Sequence, residues 1–263
     1  MALILKRIYT SYYWLFEEKS DPRSETLGLF LMSSPIKPVL VLAAYLYFVN
    51  KLGPKLMANR KPFDLRKVLI AYNLAQVILN AYIVYEAAFE ILLYLKNDCD
   101  PIDYSYSPRS IHVLKTYHMF FPYKNGGSFG YGEYQQVFFV LRKKYNQTSF
   151  LHVYHHFGMV MMLWFAVKFF GGGAGAYIGL INGAVHTVMY TYYLLTAVDD
   201  KWKSSVALKK AITQMQMVQF SMFIVIYGRL LLKSDCHYPK LCSYFFVPQN
   251  FFMLMLFGDF YRR

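Results

Sequence analysis

Residues 149–170 read Ser-Phe-Leu-His-Val-Tyr-His-His-Phe-Gly-Met-Val-Met-Met-Leu-Trp-Phe-Ala-Val-Lys-Phe-Phe. This apolar run has about the length that crosses a bilayer, so it predicts a transmembrane helix. Its histidines, His152, His155 and His156, are spaced i, i+3 and i+4, which places them on one helical face. Ionisable side chains inside a bilayer are costly and usually mark a functional site. The three histidines are therefore the candidate catalytic centre, and satisfied packing is the simpler alternative.

The composition predicts a membrane protein built from helices. Of the 263 residues, 56% are hydrophobic and 16% are charged, whereas a soluble domain carries about 25% charged residues. The apolar residues are gathered in blocks of about 20, the length of a membrane-spanning helix. We expect an all-α, polytopic membrane protein in which residues 1–263 form a single integral domain.

Six runs read as regular spans, and one further crossing is irregular. The region 111–141 is interrupted by histidine and lysine and then by the glycine-rich stretch 122–132, which is typical of a loop. Counted as an irregular or damaged third helix, it brings the total to about seven transmembrane helices. The regular spans are predicted at 35–52, 68–95, 149–170, 176–198, 211–232 and 244–261.

The distribution of basic residues predicts the orientation in the membrane. The formal net charge is +13, and lysine and arginine gather in alternate connections, which the positive-inside rule assigns to the cytosol. Seven spans then place the N-terminus in the lumen and the C-terminus in the cytosol. Basic residues so placed suit anionic headgroups or an anionic substrate, and no nucleic-acid motif is present. The basic connections are 53–67, 142–148 and 199–210, and they alternate with those at 96–110, 171–175 and 233–243.

The three cysteines all fall in connections assigned to the lumen, where disulfides persist. Cys99 and Cys236 are the preferred pair because both lie just past the ends of spans, which leaves Cys242 free. Unpaired thiols are the alternative. The spacing contains no CxxC motif and does not suggest a zinc site.

Two further spans carry polar faces. A polar stripe within a span must face protein or water, so the first stripe is expected to line the same pocket as the histidines, with interhelical packing as the alternative. On the following span Gln216 and Gln219 share a face, and both substrate contact and packing remain open there. The first stripe, at i, i+4, i+8 and i+11, consists of Asn182, His186, Tyr190 and Tyr193.

Two chemistries fit the imidazoles. Imidazole binds iron, zinc and copper, so a histidine-box metal site of a lipid oxidoreductase is one candidate, but no acidic residue in the neighbouring spans completes a di-metal centre. Metal-free acyl transfer is favoured, because imidazole acts as a nucleophile or general base near neutral pH. The cluster Arg142, Lys143 and Lys144 offers cations to phosphates, or serves as a topology signal alone. We expect no metal and no cofactor.

The run Leu141-Arg-Lys-Lys144, followed by Phe150-Leu-His152-Val-Tyr-His155-His156, resembles the histidine box of the very-long-chain fatty acid elongases. Residues 57–63, 182–193 and 213–220 resemble further blocks of that family, so the resemblance covers nearly the whole chain. It implies a seven-helix enzyme of the endoplasmic reticulum, built around an acyl-binding tunnel. The implied reaction condenses a long-chain acyl-CoA with malonyl-CoA to a 3-ketoacyl-CoA, CO2 and CoA.

The resemblance also implies roles for individual residues. By motif position His155 would carry the acyl group as an acyl-imidazole, His186 would be its partner, and His152 and His156 would support and orient them. The substrates would be acyl-CoA and malonyl-CoA, bound beside the lipid bilayer. A homo-oligomer and association with other enzymes of the elongation cycle are further expected partners.

The chain departs from the family pattern just before the basic cluster. Members usually carry Lys-x-x-Glu-x-x-Asp-Thr there, and Gln135 and Gln136 stand at the Asp and Thr positions, with Gly132 at the Glu position. Loss of a buried carboxylate can reorient a histidine. A catalytically impaired member of the family is therefore the first alternative function, and the metal-dependent oxidoreductase is the second.

Overall fold

The described part of the chain is helical. The computed structural model describes residues 2–18, 20–23, 30–118, 133–147 and 150–262, and these residues contain no strand. The helices are numbered here in chain order, and α2 includes a π turn at Phe48–Leu52. They are α1 (Ala2–Tyr13), α2 (Ile36–Met57), α3 (Arg66–Tyr94), α4 (Pro108–His118), α5 (Glu133–Leu141), α6 (Phe150–Phe170), α7 (Ala176–Val198), α8 (Val206–Leu232) and α9 (Lys240–Arg262).

The helices confirm the predicted fold class. In the described ranges, five helices are long and apolar enough to cross a membrane, namely α2, α3, α6, α8 and α9. Helix α7 has 23 residues, which is also sufficient to cross, since about 20 residues span the hydrocarbon core; its polar residues lower its hydropathy. The chain is thus an all-α, multi-pass membrane protein.

Where the irregular third crossing is predicted, the described residues form two short helices. Helix α4 has 11 residues and α5 has nine, so neither is long enough to span a bilayer alone. The glycine-rich stretch 122–132, on which the prediction of a damaged helix rested, lies outside the described residues.

Helix α2 extends beyond its predicted end at residue 52. Its final turns cross Gly53-Pro54, because the π turn at Phe48–Leu52 shifts the hydrogen-bond register and Pro54 falls at the start of the last helical segment. Helix α8 begins at Val206, before the predicted residue 211. Ser205 caps it by accepting a hydrogen bond from the backbone N–H of Leu208 at 3.3 Å.

The predicted basic connections meet at one end of the molecule, called here the basic end. The backbone N–H of Phe63 donates to the carbonyl of Leu141 at 3.1 Å, and Nζ of Lys143 donates to the carbonyl of Ala58 at 3.0 Å. Nε of Arg66 donates to the carbonyl of Ala197 at 2.9 Å, near the end of α7. These contacts agree with the predicted alternation of connections, and the cytosolic assignment of this end remains a prediction.

The other connections meet at the opposite end, called here the disulfide end. Cys99 and Cys236 form a disulfide there, as paired in the sequence analysis, and Cys242 is a buried free thiol. The hydroxyl of Tyr104 donates to the carbonyl of Phe169 at 3.1 Å. Burial raises the pKa of Tyr104 to about 12, so this hydroxyl stays protonated as a donor.

A buried arginine ties three segments together at the disulfide end. Arg23 and Asp21 are both 0% exposed, and the guanidinium donates to the two carboxylate oxygens at 2.9 and 2.6 Å. It also donates to the carbonyls of Asp103 at 2.7 Å and Gly171 at 3.1 Å. Nothing in the local sequence pattern predicts this junction.

Replacing Arg23 with leucine tests this junction. The Asp21 carboxylate would remain buried without its cation, which costs about 3–5 kcal/mol of folding free energy. We expect a clear fall in the thermal unfolding temperature of the detergent-purified protein. Arg109→Leu is the matched control, because the Arg109–Glu90 pair is exposed on the arginine side and such pairs contribute about 0–1 kcal/mol. Equal shifts for the two variants would contradict the assignment.

The disulfide is tested by electrophoresis. Wild-type protein should migrate differently under reducing and non-reducing conditions, since the Cys99–Cys236 bond closes a long loop with a sequence separation of 137. Cys99→Ser should abolish the difference, while Cys242→Ser should keep it. A difference that persists in Cys99→Ser would show that another pairing exists.

Candidate active site

The three histidines of α6 form a compact group of rings. The ring centroids of His152 and His156 are 4.5 Å apart, and those of His155 and His156 are 5.4 Å apart. All three side chains retain partial accessibility. The imidazole of His186, on α7, lies close enough to interact electrostatically with His155 and His156. The structure therefore brings together the four histidines that the sequence singled out.

His186 is positioned by the close packing of α3 against α7, the most extensive helix–helix contact in the described chain. The two helices are antiparallel, since Gly179 meets Ala87 whereas Gly183 meets Val84 and Asn80. A Cβ atom on Gly183 would lie 3.0 Å from Cγ2 of Val84 and 3.3 Å from the carbonyl oxygen of Asn80. Only glycine permits so close an approach without displacing a neighbour.

The tyrosines of the predicted stripe connect His186 to the surrounding helices. The ring of Tyr190 lies 5.8 Å from that of His186 and 6.1 Å from that of Tyr72 on α3. Tyr190 also contacts Tyr193 at 6.0 Å. Asn182, the first residue of the stripe, is buried. The stripe therefore faces protein, as predicted, and its contact with substrate stays a prediction.

Helix α5 closes one wall of the site, and sequence reasoning missed this. Phe139 packs against His152 with ring centroids 5.5 Å apart. The side chain of Gln135 lies near Tyr193 on α7, and the hydroxyl of Tyr45 on α2 donates to Oε1 of Gln136 at 2.6 Å. The end of the stretch expected to be damaged is thus well packed against the candidate site.

A polar stripe on α3 was also missed. Asn73, Gln76 and Asn80 are all buried, and Nδ2 of Asn80 donates to the carbonyl of Gln76 at 2.8 Å. They face α7, because Gly183 packs directly over Asn80. Polar residues at helical spacing within an apolar run identified the stripe on α7. The i, i+3 and i+7 spacing of this stripe is a signal of the same kind and would have identified it.

The glutamines of α8 have different surroundings. Nε2 of Gln216 lies 3.7 Å from the sulfur of Met189 on α7, a contact consistent with helix packing. Gln219 is 4% exposed, and its Oε1 has no hydrogen-bond partner among the described residues. Buried polar atoms are almost always bonded. Gln219 is therefore the better placed of the two to accept a hydrogen bond from a ligand.

The basic cluster next to α5 has a structural component. Lys143 adopts a left-handed backbone conformation with φ of 54°, and its ammonium group holds the carbonyl of Ala58. In the part of the chain that the structure describes, Arg142 and Lys144 form no ion pair. Phosphate binding by the cluster stays a prediction, and Arg142 and Lys144 are its better candidates.

The surroundings of the histidines bear on the metal-centre alternative. Within the described ranges, no group of three or more histidine, cysteine, aspartate or glutamate side chains is arranged to hold a metal ion. The imidazoles contact aromatic rings instead, as His155 does with Phe257 at 6.2 Å. The expectation of a cofactor-free site remains untested.

Comparison with known proteins places the chain in a family. The profile of the GNS1/SUR4 (ELO) family matches residues 30–263. The chain belongs to this family. Among curated GNS1/SUR4 relatives, very long chain fatty acid elongase 7 of Drosophila melanogaster is 41% identical over 260 residues, which cover 98% of this chain and 77% of the relative.

Vertebrate relatives give the same result. Very long chain fatty acid elongase 7 of Rattus norvegicus is 39% identical, covering 96% of this chain and 88% of its own. Very long chain fatty acid elongase 1 of Homo sapiens is 37% identical, covering 92% and 85%. The resemblance to the elongase family, inferred from the histidine box, is thereby confirmed.

The role of the α3–α7 contact is tested by enlarging Gly183. Valine at this position would force the two helices apart at the level of Asn80, which should cost about 1–3 kcal/mol and displace His186. We expect a lower thermal unfolding temperature in detergent. Gly228→Val is the matched control, since Gly228 is also helical and no atom lies within 4 Å of the place that a Cβ atom would occupy there. Equal effects would contradict the assignment.

Proposed function

We propose that this protein catalyses the condensing step of fatty acid elongation, joining a long-chain acyl-CoA to malonyl-CoA. The observation that carries the proposal is the convergence of His152, His155, His156 and His186 from two helices in a GNS1/SUR4 protein. The relatives named as very long chain fatty acid elongases support the substrate class. The product would be a 3-ketoacyl-CoA, formed without a metal or other cofactor.

In the first half-reaction a ring nitrogen of His155 attacks the thioester carbonyl carbon of the acyl-CoA. The new C–N bond forms as the C–S bond breaks, and the imidazole proton passes to the departing thiolate, giving an acyl-imidazole and free CoA. The ring of His156 lies beside His155, and His152 and His186 interact electrostatically with it. These imidazoles can relay the proton, since imidazole exchanges protons near neutral pH.

In the second half-reaction malonyl-CoA loses CO2, and the electron pair of the broken C–C bond attacks the acyl-imidazole carbonyl. The C–N bond then breaks, and the imidazolate that leaves takes up one proton from solvent, which the reaction consumes overall, as the 3-ketoacyl-CoA departs. In the bilayer, the apolar helices around the histidines would limit the access of water and so protect the acyl-imidazole from hydrolysis.

The distribution of charge supports an amphipathic substrate. Arg142 and Lys144 at the basic end can bind the phosphates of CoA, while the acyl chain enters a tunnel among the spans. The free Oε1 of Gln219 can accept a hydrogen bond from an amide of the pantetheine arm. The roles proposed for Asn182, Tyr190, Tyr193 and Gln216 are to line this path.

The proposed setting is the endoplasmic reticulum membrane, with the basic end in the cytosol, the C-terminus cytosolic and the N-terminus lumenal. The disulfide Cys99–Cys236 supports a lumenal position for the opposite end. The proposed partners are the two CoA substrates, the bilayer, a second copy of the chain and other enzymes of the elongation cycle.

The alternative of an impaired family member rests on Gln135 and Gln136, which replace the usual acid and threonine. The side chain of Gln136 nevertheless accepts a hydrogen bond from Tyr45, and that of Gln135 lies near Tyr193. This packing favours an active protein over an impaired one.

Replacement of single histidines tests the proposal. Microsomes containing wild-type protein should incorporate labelled malonyl-CoA into long-chain acyl products. His155→Ala and His186→Ala should each lower that rate by about 100-fold or more, because nucleophile or acid–base function is removed. His237→Ala, at the disulfide end and away from the histidine group, is the control and should retain wild-type activity. Wild-type rates in both His155→Ala and His186→Ala would refute the proposal.

A further inference from the structure

Gln136 has an unusual environment for a glutamine. Its side chain is 0% exposed, and among the described residues its Nε2 amide has no hydrogen-bond partner. A buried donor without an acceptor costs stability, and such groups are rare in proteins. An apolar side chain of similar size would avoid this cost. The environment therefore points to an acceptor supplied by a ligand.

The neighbouring tyrosine fixes which end of the amide is available. The hydroxyl of Tyr45 donates to Oε1 of Gln136 at 2.6 Å, and Tyr45 is itself buried at 2% exposure. The carbonyl end of the amide is therefore directed at α2. The Nε2 end, with its two hydrogens, is left to donate elsewhere.

The packing of α5 places Gln136 at the depth of the reactive histidines. Helices α5 and α6 are antiparallel, since α5 ends and α6 begins at the basic end. Phe139 of α5 contacts His152 of α6. Gln136 lies about one turn before Phe139, and His155 and His156 lie about one turn after His152, because a turn contains 3.6 residues. The turn from Phe139 back to Gln136 and the turn from His152 on to His155 and His156 both lead away from the basic end. Gln136 therefore lies at about the same depth as these histidines.

We propose that Nε2 of Gln136 donates a hydrogen bond to the carbonyl oxygen of the acyl thioester, a catalytic role that rests on the proposed function. When the His155 nitrogen bonds to the carbonyl carbon, the C=O π electrons move to that oxygen, which becomes an oxyanion. When the oxyanion collapses, the C=O bond reforms, the C–S bond breaks, and the thiolate takes the imidazole proton. A preorganised donor in a dry site stabilises the oxyanion more than the ground state.

Steady-state kinetics of Gln136→Met provide the first test. This variant keeps most of the side-chain volume and removes the donor. With malonyl-CoA present, we expect kcat for release of CoA from a long-chain acyl-CoA to fall by about 100-fold, the typical loss for one oxyanion donor, with KM changed by less than about threefold. Tyr45→Phe is the matched control: it loses the same hydrogen bond to Oε1 but leaves the donor in place, so its kcat should fall by less than about tenfold.

Infrared spectroscopy provides a direct readout that a packing role would not change. An acyl-CoA isotope-labelled at the thioester carbonyl is bound to His155→Ala, which cannot turn over, and to His155→Ala combined with Gln136→Met. Loss of the donor should raise the carbonyl stretching frequency. An unchanged frequency, or a kcat of Gln136→Met within about threefold of wild type, would overturn the inference.

Gln136→Glu covers the case in which the methionine variant does not fold. A neutral carboxyl group keeps the size of glutamine, accepts from Tyr45 and donates through its own O–H, whereas the ionised form has no donor. Its activity relative to wild type should therefore fall as the pH rises through the pKa of the carboxyl. A ratio independent of pH would overturn the inference.

Measurements on wild-type protein distinguish a failure of this inference from a failure of the proposed function. If wild-type protein neither releases CoA from acyl-CoA nor incorporates malonyl-CoA, the proposed function fails whatever Gln136 does. If wild-type protein does both and Gln136→Met matches it, the condensing function stands and the role of Gln136 alone fails.

Discussion

The close antiparallel contact between α3 and α7 is the constraint on which the candidate site depends. Gly179 and Gly183 let the two backbones approach until side chains of α3 touch the glycines. That approach turns the polar stripes of both helices toward each other and away from lipid, where unpaired polar groups would be costly. His186 lies one turn after Gly183 on α7. Its position therefore depends on glycine at residues 179 and 183.

The two ends of the molecule are stabilised by different interactions. The disulfide end is held by a covalent bond, by the buried Arg23–Asp21 pair and by an aromatic core that includes Trp164 and Tyr227. The connections at the basic end are joined mainly by backbone and lysine or arginine hydrogen bonds. A rigid disulfide end and a charged basic end suit a protein that admits a ligand from the basic end.

Helix α5 shows how a short element can complete a site. It is too short to cross the membrane, yet it contacts α2, α3, α6 and α7 through Gln136, Phe138, Phe139 and Gln135 respectively. It therefore supplies a wall beside the histidines, and the amide of Gln136 accepts a hydrogen bond from Tyr45. The contribution of α5 to the site comes from the residues that it contacts and could not be inferred from its length.

Patterns in the sequence predict the fold class, most of the spans, the grouping of the connections at two ends and the four histidines. Each rests on a local property, such as an apolar run, a charge or a helical spacing, that needs no knowledge of neighbours. The tertiary structure decided the rest. The Arg23 junction, the wall formed by α5 and the free amide of Gln136 each depend on residues far apart in the chain, and the continuation of α2 depends on a π turn. Pairing between distant segments has no periodic signal, so only packing reveals which polar groups are satisfied and which remain available for a ligand.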